Sequence, residues 1–382
     1  MYQRTLNAPL QGNQSFFLFG PRGTGKTSWT KSHVPNALRF DLLSTDTYID
    51  FQARPSLLEE RIPIGFNDWI VIDGIQRIPE LLNEVHRLIE SKKYKFILTG
   101  SSARSLRKKG VNLLAGRAHS YKMFPLTSEE LGPDFQLFES IRIGHLPAVH
   151  DHKEAREEYF RAYIETYLRE EVLQEGLTRN LSAFARFLEI ASLSQGSVLN
   201  ISEVARESRI DRKVAENYFT ILEDLLIATR LPVFTKKAKR ATIIHPKFYY
   251  FDAGIYSHIR PKGPLDTPEL IGGVALETLV YQELRAINEY YRFGYELFFW
   301  RTVDQQEIDF VLYGPLGLIA IEVKTSKFFD PSFLRSLTLF KEEYPIAKTF
   351  LFYGGKEKLH KNGTEILPLA TTLPKLSSLL KL

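Results

Sequence analysis

The chain contains no cysteine among its 382 residues, which excludes a disulfide framework and any thiolate metal site. No apolar run approaches the roughly 20 residues that a membrane helix needs. The opening segment MYQRTLNAPLQGNQ also lacks the apolar core of a signal peptide. These absences lead to the expectation of a cytoplasmic protein with no membrane partner. Internal repeats and low-complexity tracts are missing as well. Charge of one sign is scarce: 50 Lys and Arg against 45 Asp and Glu leave a net +5, which permits a nucleic-acid or acidic partner but does not specify one.

What is present describes a folded, multidomain chain. Hydrophobic residues make up 44% and charged residues 25%, the proportions of a soluble globular protein. Twenty-seven Phe and 18 Tyr supply more core-forming side chains than a disordered chain carries. The length exceeds one ordinary core, so about two or three domains are expected.

Three compositions succeed one another along the chain. From about residue 14 to 127, short apolar runs alternate with amphipathic stretches, the pattern of a largely parallel α/β sheet. SFFLFG (15–20), ALRFDLL (37–43), DWIVID (68–73) and YKFILTGS (94–101) read as buried strands, and PELLNEVHRLIE as a crossover helix with apolar residues at helical spacing. From about residue 154 to 228 the pattern turns helical. HKEAREEYFRAYIETYLREEVLQ reads as one long charged helix, followed by helices near 183–194, 201–207 and 211–227 and then two β-rich runs around a basic loop. Three helices and a hairpin outline a winged helix-turn-helix. The remainder mixes a helix near 273–290 with strands ELFFWRT, EIDFVLYG and LIAIEVKTS. The expected domains are 1–150, 151–262 and 263–382.

GPRGTGKT, Gly20 to Thr27, matches the phosphate-loop pattern and lies between an expected strand and an expected helix. Its glycines let backbone N–H groups turn toward phosphate oxygens, Lys26 reaches the terminal phosphates, and the Thr27 hydroxyl serves Mg²⁺. Gly20, Pro21, Arg22, Gly23, Thr24, Gly25, Lys26, Thr27 and Ser28 are therefore the expected contacts of ATP or ADP. Asp73 ends WIVID and is placed to hold Mg²⁺ through water. Thr99, Gly100 and Ser101 end a further strand, where polar groups sense the γ-phosphate. Arg117 in LLAGRA, and with less reason Arg104 and Arg22, are candidates for neutralising charge in the transition state.

Toward the C-terminus, Asp309 ends the run EID, and Glu322 and Lys324 come later in AIEVKTS. Antiparallel strands joined at YGPLG would bring the three to one sheet edge. In such a set two carboxylates hold Mg²⁺ and the lysine positions the attacking water; a structural Glu322–Lys324 ion pair is the alternative. Basic residues gather in TKKAKR (235–240) and at Arg206, Arg209, Arg212 and Lys213, positions suited to DNA phosphates or to a solvated surface.

Together GPRGTGKT, VIDGIQRIPEL, LTGSSARSL with LAGRA, GHLPAV, and ALETLVYQEL with WRTVDQQEIDFVL and AIEVKTS resemble a bacterial and archaeal family of AAA-type P-loop ATPases. Members carry a C-terminal domain of unknown function similar to PD-(D/E)xK nucleases. The resemblance spans nearly the whole chain and implies an ATP-binding domain, a winged-helix segment, a nuclease-like terminus in which Glu277 supplies an additional acid, and a homo-oligomer. One departure stands out: family members typically read Asp-Glu-Ile-Gln where this chain has Asp73-Gly74-Ile75-Gln76. The general base for the attacking water is thereby missing, so ATP binding with slow hydrolysis is expected, with Gln76 as an alternative water-positioning group. An ATP-responsive interaction protein with a degenerate nuclease-like module is the alternative to a catalytic terminus.

Overall fold

The computed structural model describes residues 2–8, 10–12, 14–102, 118–151, 153–168, 172–173, 180–236, 244–263 and 266–381. The N-terminal apolar runs form a five-stranded parallel sheet from β1 (Ser15–Phe19), β2 (Leu38–Asp41), β3 (Trp69–Asp73), β4 (Lys95–Gly100) and β5 (Ala118–Lys122), in the order β2-β3-β4-β1-β5. Strand side chains alternate between faces, and here both faces are buried. Phe17, Phe19, Ile70, Ile72, Phe96 and Leu98 pack with Leu81, Leu82, Val85 and Leu88 of the helix Leu81–Lys92. Phe16, Leu18, Trp69, Val71 and Ile97 pack with Trp29 and Val34 on the opposite side. Such runs read as continuously apolar for that reason. β5 was not expected from the sequence, because AHSYK is mostly polar and exposed, as an edge strand permits.

The described residues between 156 and 224 are mostly helical, as the sequence implies, but the first helix is not one regular rod. Arg156–Ala162 is α-helical and Tyr163–Tyr167 winds as a π-turn. A π-turn inserts a residue into the ladder and re-aims the side chains beyond it. Tyr163 is buried there, with its hydroxyl donating to the Arg22 carbonyl at 2.9 Å. Three helices come next, Leu181–Ser192, Ile201–Ser208 and Arg212–Asp224. Asn180 and Asn200 cap the first two, accepting from Ala183 N and Glu203 N. An antiparallel pair, β6 (Ala228–Leu231) and β7 (Lys247–Tyr250), closes this segment. β6 begins earlier than the expected run; of the residues after it, Val233 bridges to Phe299 instead.

The C-terminal segment opens with the 23-residue helix Pro268–Tyr290. Its sheet comprises β8 (Glu296–Arg301), β9 (Glu307–Gly314), β10 (Gly317–Lys324), β11 (Lys348–Tyr353), β12 (Leu359–Lys361) and β13 (Thr364–Pro368), ordered β12-β13-β11-β10-β9-β8. β8, β9 and β10 pair antiparallel, and β10 pairs parallel with β11 after the helix Arg335–Glu343. Leu276, Leu279, Val280 and Leu284 of the long helix cover one face against Phe310, Ile321 and Phe350. Leu337 and Phe340 cover the other against Val311, Ala320 and Leu351. Each buried Leu, Ile, Val or Phe side chain here contributes about 1.5–3 kcal/mol. No helix among the described residues is long and apolar enough to cross a membrane.

Candidate nucleotide site and a second acidic cluster

Register places the first site. β3 and β4 pair Asp73 with Thr99, and β4 and β1 pair Thr99 with Leu18, so the carboxyl ends of three central strands finish level with one another. The chain leaving β1 is GPRGTGKT, and the helix Lys26–His33 begins within it. Gly25 caps that helix with φ +92°, a left-handed conformation that a side chain would strain. The first N–H groups of the helix therefore open onto the crevice at the strand ends, where open α/β sheets bind ligands. A cavity of about 350 Å³ lies there, lined among others by Lys26, Thr27, Asp73, Gln76 and Ser101.

Thr27 Oγ1 donates to Asp73 Oδ2 at 2.6 Å, and Thr99 Oγ1 donates to the other oxygen of the same carboxylate. Asp73 thus meets two hydroxyls, and Thr27 with Asp73 are the residues that would hold Mg²⁺. Lys26 Nζ donates to the carbonyls of Gly20 and Pro21 at 2.6 and 2.9 Å, and Gln76 Nε2 donates to Ser101 Oγ at 3.1 Å. Gly74 has φ +81°. A Cβ there would stand 3.5 Å from Leu43 Cδ2, so there is room for a side chain, but the backbone holds it in the left-handed region. That conformation costs a non-glycine residue about 1–2 kcal/mol. Arg104 and Arg117 lie outside the described residues.

Two tethers on the loop were invisible in the sequence. Besides Tyr163 on the Arg22 carbonyl, Arg4 donates to Thr24 O at 2.6 Å, to Phe124 O at 2.7 Å and to Tyr290 Oη at 3.0 Å, and it pairs with Glu130 at 3.1 Å. Tyr290 ends the long C-terminal helix, so one guanidinium joins the phosphate loop to the last third of the chain. Nothing local marks these residues: Arg4 and Tyr290 are 286 positions apart.

The second cluster forms where the hairpin of β9 and β10 meets the long helix. Val323 N donates to Asp309 Oδ2 at 2.8 Å, and Lys324 Nζ lies 2.5 Å from Glu322 Oε1. Asp309, Glu322 and Lys324 are thus brought together as the spacing predicts, with Glu277 facing them from the helix. Sequence reading missed Lys247 of β7, whose side chain is only 1% exposed. Its ammonium lies 3.0 Å from Glu277 Oε1, 2.6 Å from Glu307 Oε1 and 3.7 Å from Asp309 Oδ1. Tyr249 Oη donates to Glu277 as well. A lysine heading the aromatic run KFYY was the one available signal, because an unpaired charge is costly in a buried strand.

Burial dominates the electrostatics of this cluster. It would depress the Lys247 ammonium, but Glu277, Asp309 and Glu307 more than reverse that and hold it protonated well above the usual lysine range. Burial pushes the Glu277 carboxyl up, with Lys247 opposing and Asp309 adding to the rise. It raises Glu322 likewise, with Asp309 reinforcing and Lys324 opposing. Among the described residues no group of three or more His, Asp or Glu side chains is arranged to hold a metal ion.

Arg206, Arg209, Arg212 and Lys213 are all exposed around the turn between two helices. Of TKKAKR, Thr235 and Lys236 are described, and Lys236 pairs with Glu296 at 2.6 Å; the rest lies outside the described residues.

Residues 12–132 match the family described as an AAA domain, residues 134–266 a domain of unknown function (DUF8612), and residues 272–372 another (DUF4143). The N-terminal segment is therefore similar to AAA-type ATPase domains. An uncharacterised protein of Methanocaldococcus jannaschii is 23% identical over 354 residues, 81% of this chain and 75% of the relative. Among solved structures, the Orc1 protein of Aeropyrum pernix in complex with DNA aligns at 13% identity and TM-score 0.30, covering 64% of this chain and 86% of that one. The delta protein of the Bacillus subtilis DNA clamp loader aligns at 14% and 0.24, covering 55% and 83%. A Vibrio cholerae protein aligns at 13% and 0.23, covering 96% and 97%. At these scores the structural likenesses assign neither fold nor function.

Proposed function

We propose that this chain is an AAA-type protein that binds ATP or ADP with Mg²⁺ at Gly20–Ser28 and turns ATP over slowly. The observation that carries the reading is the carboxylate of Asp73, bonded to the Thr27 hydroxyl at 2.6 Å at the mouth of a phosphate loop. Lys26 would leave the loop carbonyls for the terminal phosphates, and the helix N-terminus would face the same charge. Thr27 and Asp73 would hold Mg²⁺, which would supply neutralisation of the charge on the phosphates. Gly74 offers no carboxylate to deprotonate water. Gln76 and Ser101, already hydrogen-bonded to each other, would orient the water without accepting its proton.

Fluorescent ATP titration and phosphate release test this. Binding that requires Lys26, with phosphate release near background, is the expected result; brisk release abolished by Lys26→Ala would contradict slow turnover. Gly74→Glu should be measured beside Gly74→Ala. Both strain the left-handed backbone, so any gain unique to glutamate reports its carboxylate.

Nucleotide state would reach the rest of the chain through Tyr163 on Arg22 and through Arg4 on Thr24, since a phosphate that draws loop N–H groups inward also shifts the carbonyls these residues hold. The helix, three strands, helix and strand order of the C-terminal segment, with Asp309, Glu322 and Lys324 converging, supports a nuclease-like plan for that domain. Lys247 among its acids supports the interaction-module alternative over phosphodiester cleavage. The four exposed basic residues around Arg209 suit nucleic-acid phosphates. Duplex DNA binding that weakens steeply with salt is the expected behaviour, and absence of binding at low salt would remove that role.

A further inference from the structure

We infer that Lys247 is the resident cation of the C-terminal acidic cluster: its ammonium fills the place where a nuclease-like site would hold a divalent metal, and it locks β7 of the middle segment onto the C-terminal domain. This rests on the nuclease-like reading of the domain's plan, but not on nucleotide binding.

Geometry carries the inference. Three carboxylates from two elements, Glu277 on the long helix and Glu307 and Asp309 on β9, converge on one Nζ atom at 2.6–3.7 Å. The expected metal ligand Asp309 gives one oxygen to this ammonium and accepts the Val323 amide on the other. Glu322 turns one oxygen to Lys324 at 2.5 Å. Glu322 Oε2 is buried without a hydrogen-bond partner, but a divalent ion drawn to it and to Asp309 would compete with the ammonium for Asp309 Oδ1 and, unless Lys247 withdrew, would stand beside a positive charge excluded from water. Withdrawal is opposed by the backbone, because Lys247 pairs with Leu231 in the β6–β7 ladder and bridges to Val198. Phe299 lies under the ammonium at 5.5 Å. Glu277, Glu307 and Asp309 therefore do not fit a metal site as they stand; they form an ion cluster around the chain's own lysine.

The test uses the full chain without nucleotide, titrated with Mn²⁺ and read by electron paramagnetic resonance, together with thermal melting. Wild-type protein is expected to take up no Mn²⁺. Lys247→Met keeps the stem and removes the charge; it should melt lower, acquire a Mn²⁺ site and recover stability as Mn²⁺ is added. Asp309→Asn in that background should remove the acquired site. A double variant, Lys247→Met with Glu277→Gln, relieves the excess negative charge and should melt above the single variant, which keeps the test readable if the single variant folds poorly. Uptake of Mn²⁺ by wild type that Asp309→Asn abolishes would overturn the inference. So would a Lys247→Met protein that melts like wild type without taking metal, or a double variant no more stable than the single. ATP binding by each variant, measured separately, reports the phosphate loop and distinguishes failure there from failure here.

Discussion

Two carboxylate sites lie at strand ends in this chain, Asp73 at the carboxyl end of β3 and Glu307 with Asp309 at the amino end of β9, and they differ in what faces the acid. Asp73 meets two hydroxyls, from Thr27 and Thr99, at the mouth of a cavity. Asp309, Glu277 and Glu307 meet a buried ammonium. A hydroxyl rotates and accepts as readily as it donates, so the first carboxylate can turn to an incoming cation without losing a charged partner. The second cannot, because displacing Lys247 strands a buried charge. Like residue types at strand ends thus yield an open site and a filled one.

The largest expected effect falls on the filled site. Removing one partner of a buried pair leaves the other uncompensated, so Lys247→Ala should lower unfolding stability by about 3–5 kcal/mol, measurable by denaturant titration. A loss near that of a surface lysine would erase the contrast. Next comes the open site: Lys26→Ala should weaken ATP binding by about 1.5–3 kcal/mol, the worth of a charged hydrogen bond, with melting little changed. Asp73→Asn is gentler, since the amide still bonds to both threonines. It should reduce the Mg²⁺ enhancement of ATP affinity by roughly tenfold, whereas Asp309→Asn leaves that enhancement intact.

Acid should unsettle the cleft through His150, beside the lining residue Asp151. Burial, with His145 and Arg156 adding, pushes its imidazole down to about 4 from 6.5, against the Gly144 carbonyl. The unfolded chain then binds more protons than the fold below pH 6.5, and this contribution to stability falls as pH drops from 6.5 toward 4. Melting curves of His150→Gln should be flatter across that window than those of wild type. Smallest of all, Arg54→Ala breaks a pair with Glu60 at 2.9 Å in which both side chains are more than half exposed, and its melting temperature should match wild type.

Sequence reading reached the open site almost entirely because its parts are contiguous. Eight residues spell the loop, and the apolar run WIVI announces the strand that delivers Asp73. The hairpin bringing Asp309 to Glu322 and Lys324 was also readable, since YGPLG fixes the pairing. Lys247 was not, because its meaning depends on a contact between β7 and a helix beginning about 20 residues later. Arg4, Tyr163 and Tyr290 were hidden for the same reason: a side chain that serves a distant backbone carbonyl leaves no spacing rule. The π-turn at Tyr163 likewise departs from a charge pattern that reads as plain α-helix.

Counting Mn²⁺ bound per chain, with and without a non-hydrolysable ATP analogue, tests the contrast most directly. The account predicts none without the analogue and one with it, the bound ion being held roughly tenfold more weakly in Asp73→Asn and unchanged in Asp309→Asn. An ion bound without nucleotide and lost in Asp309→Asn would contradict it.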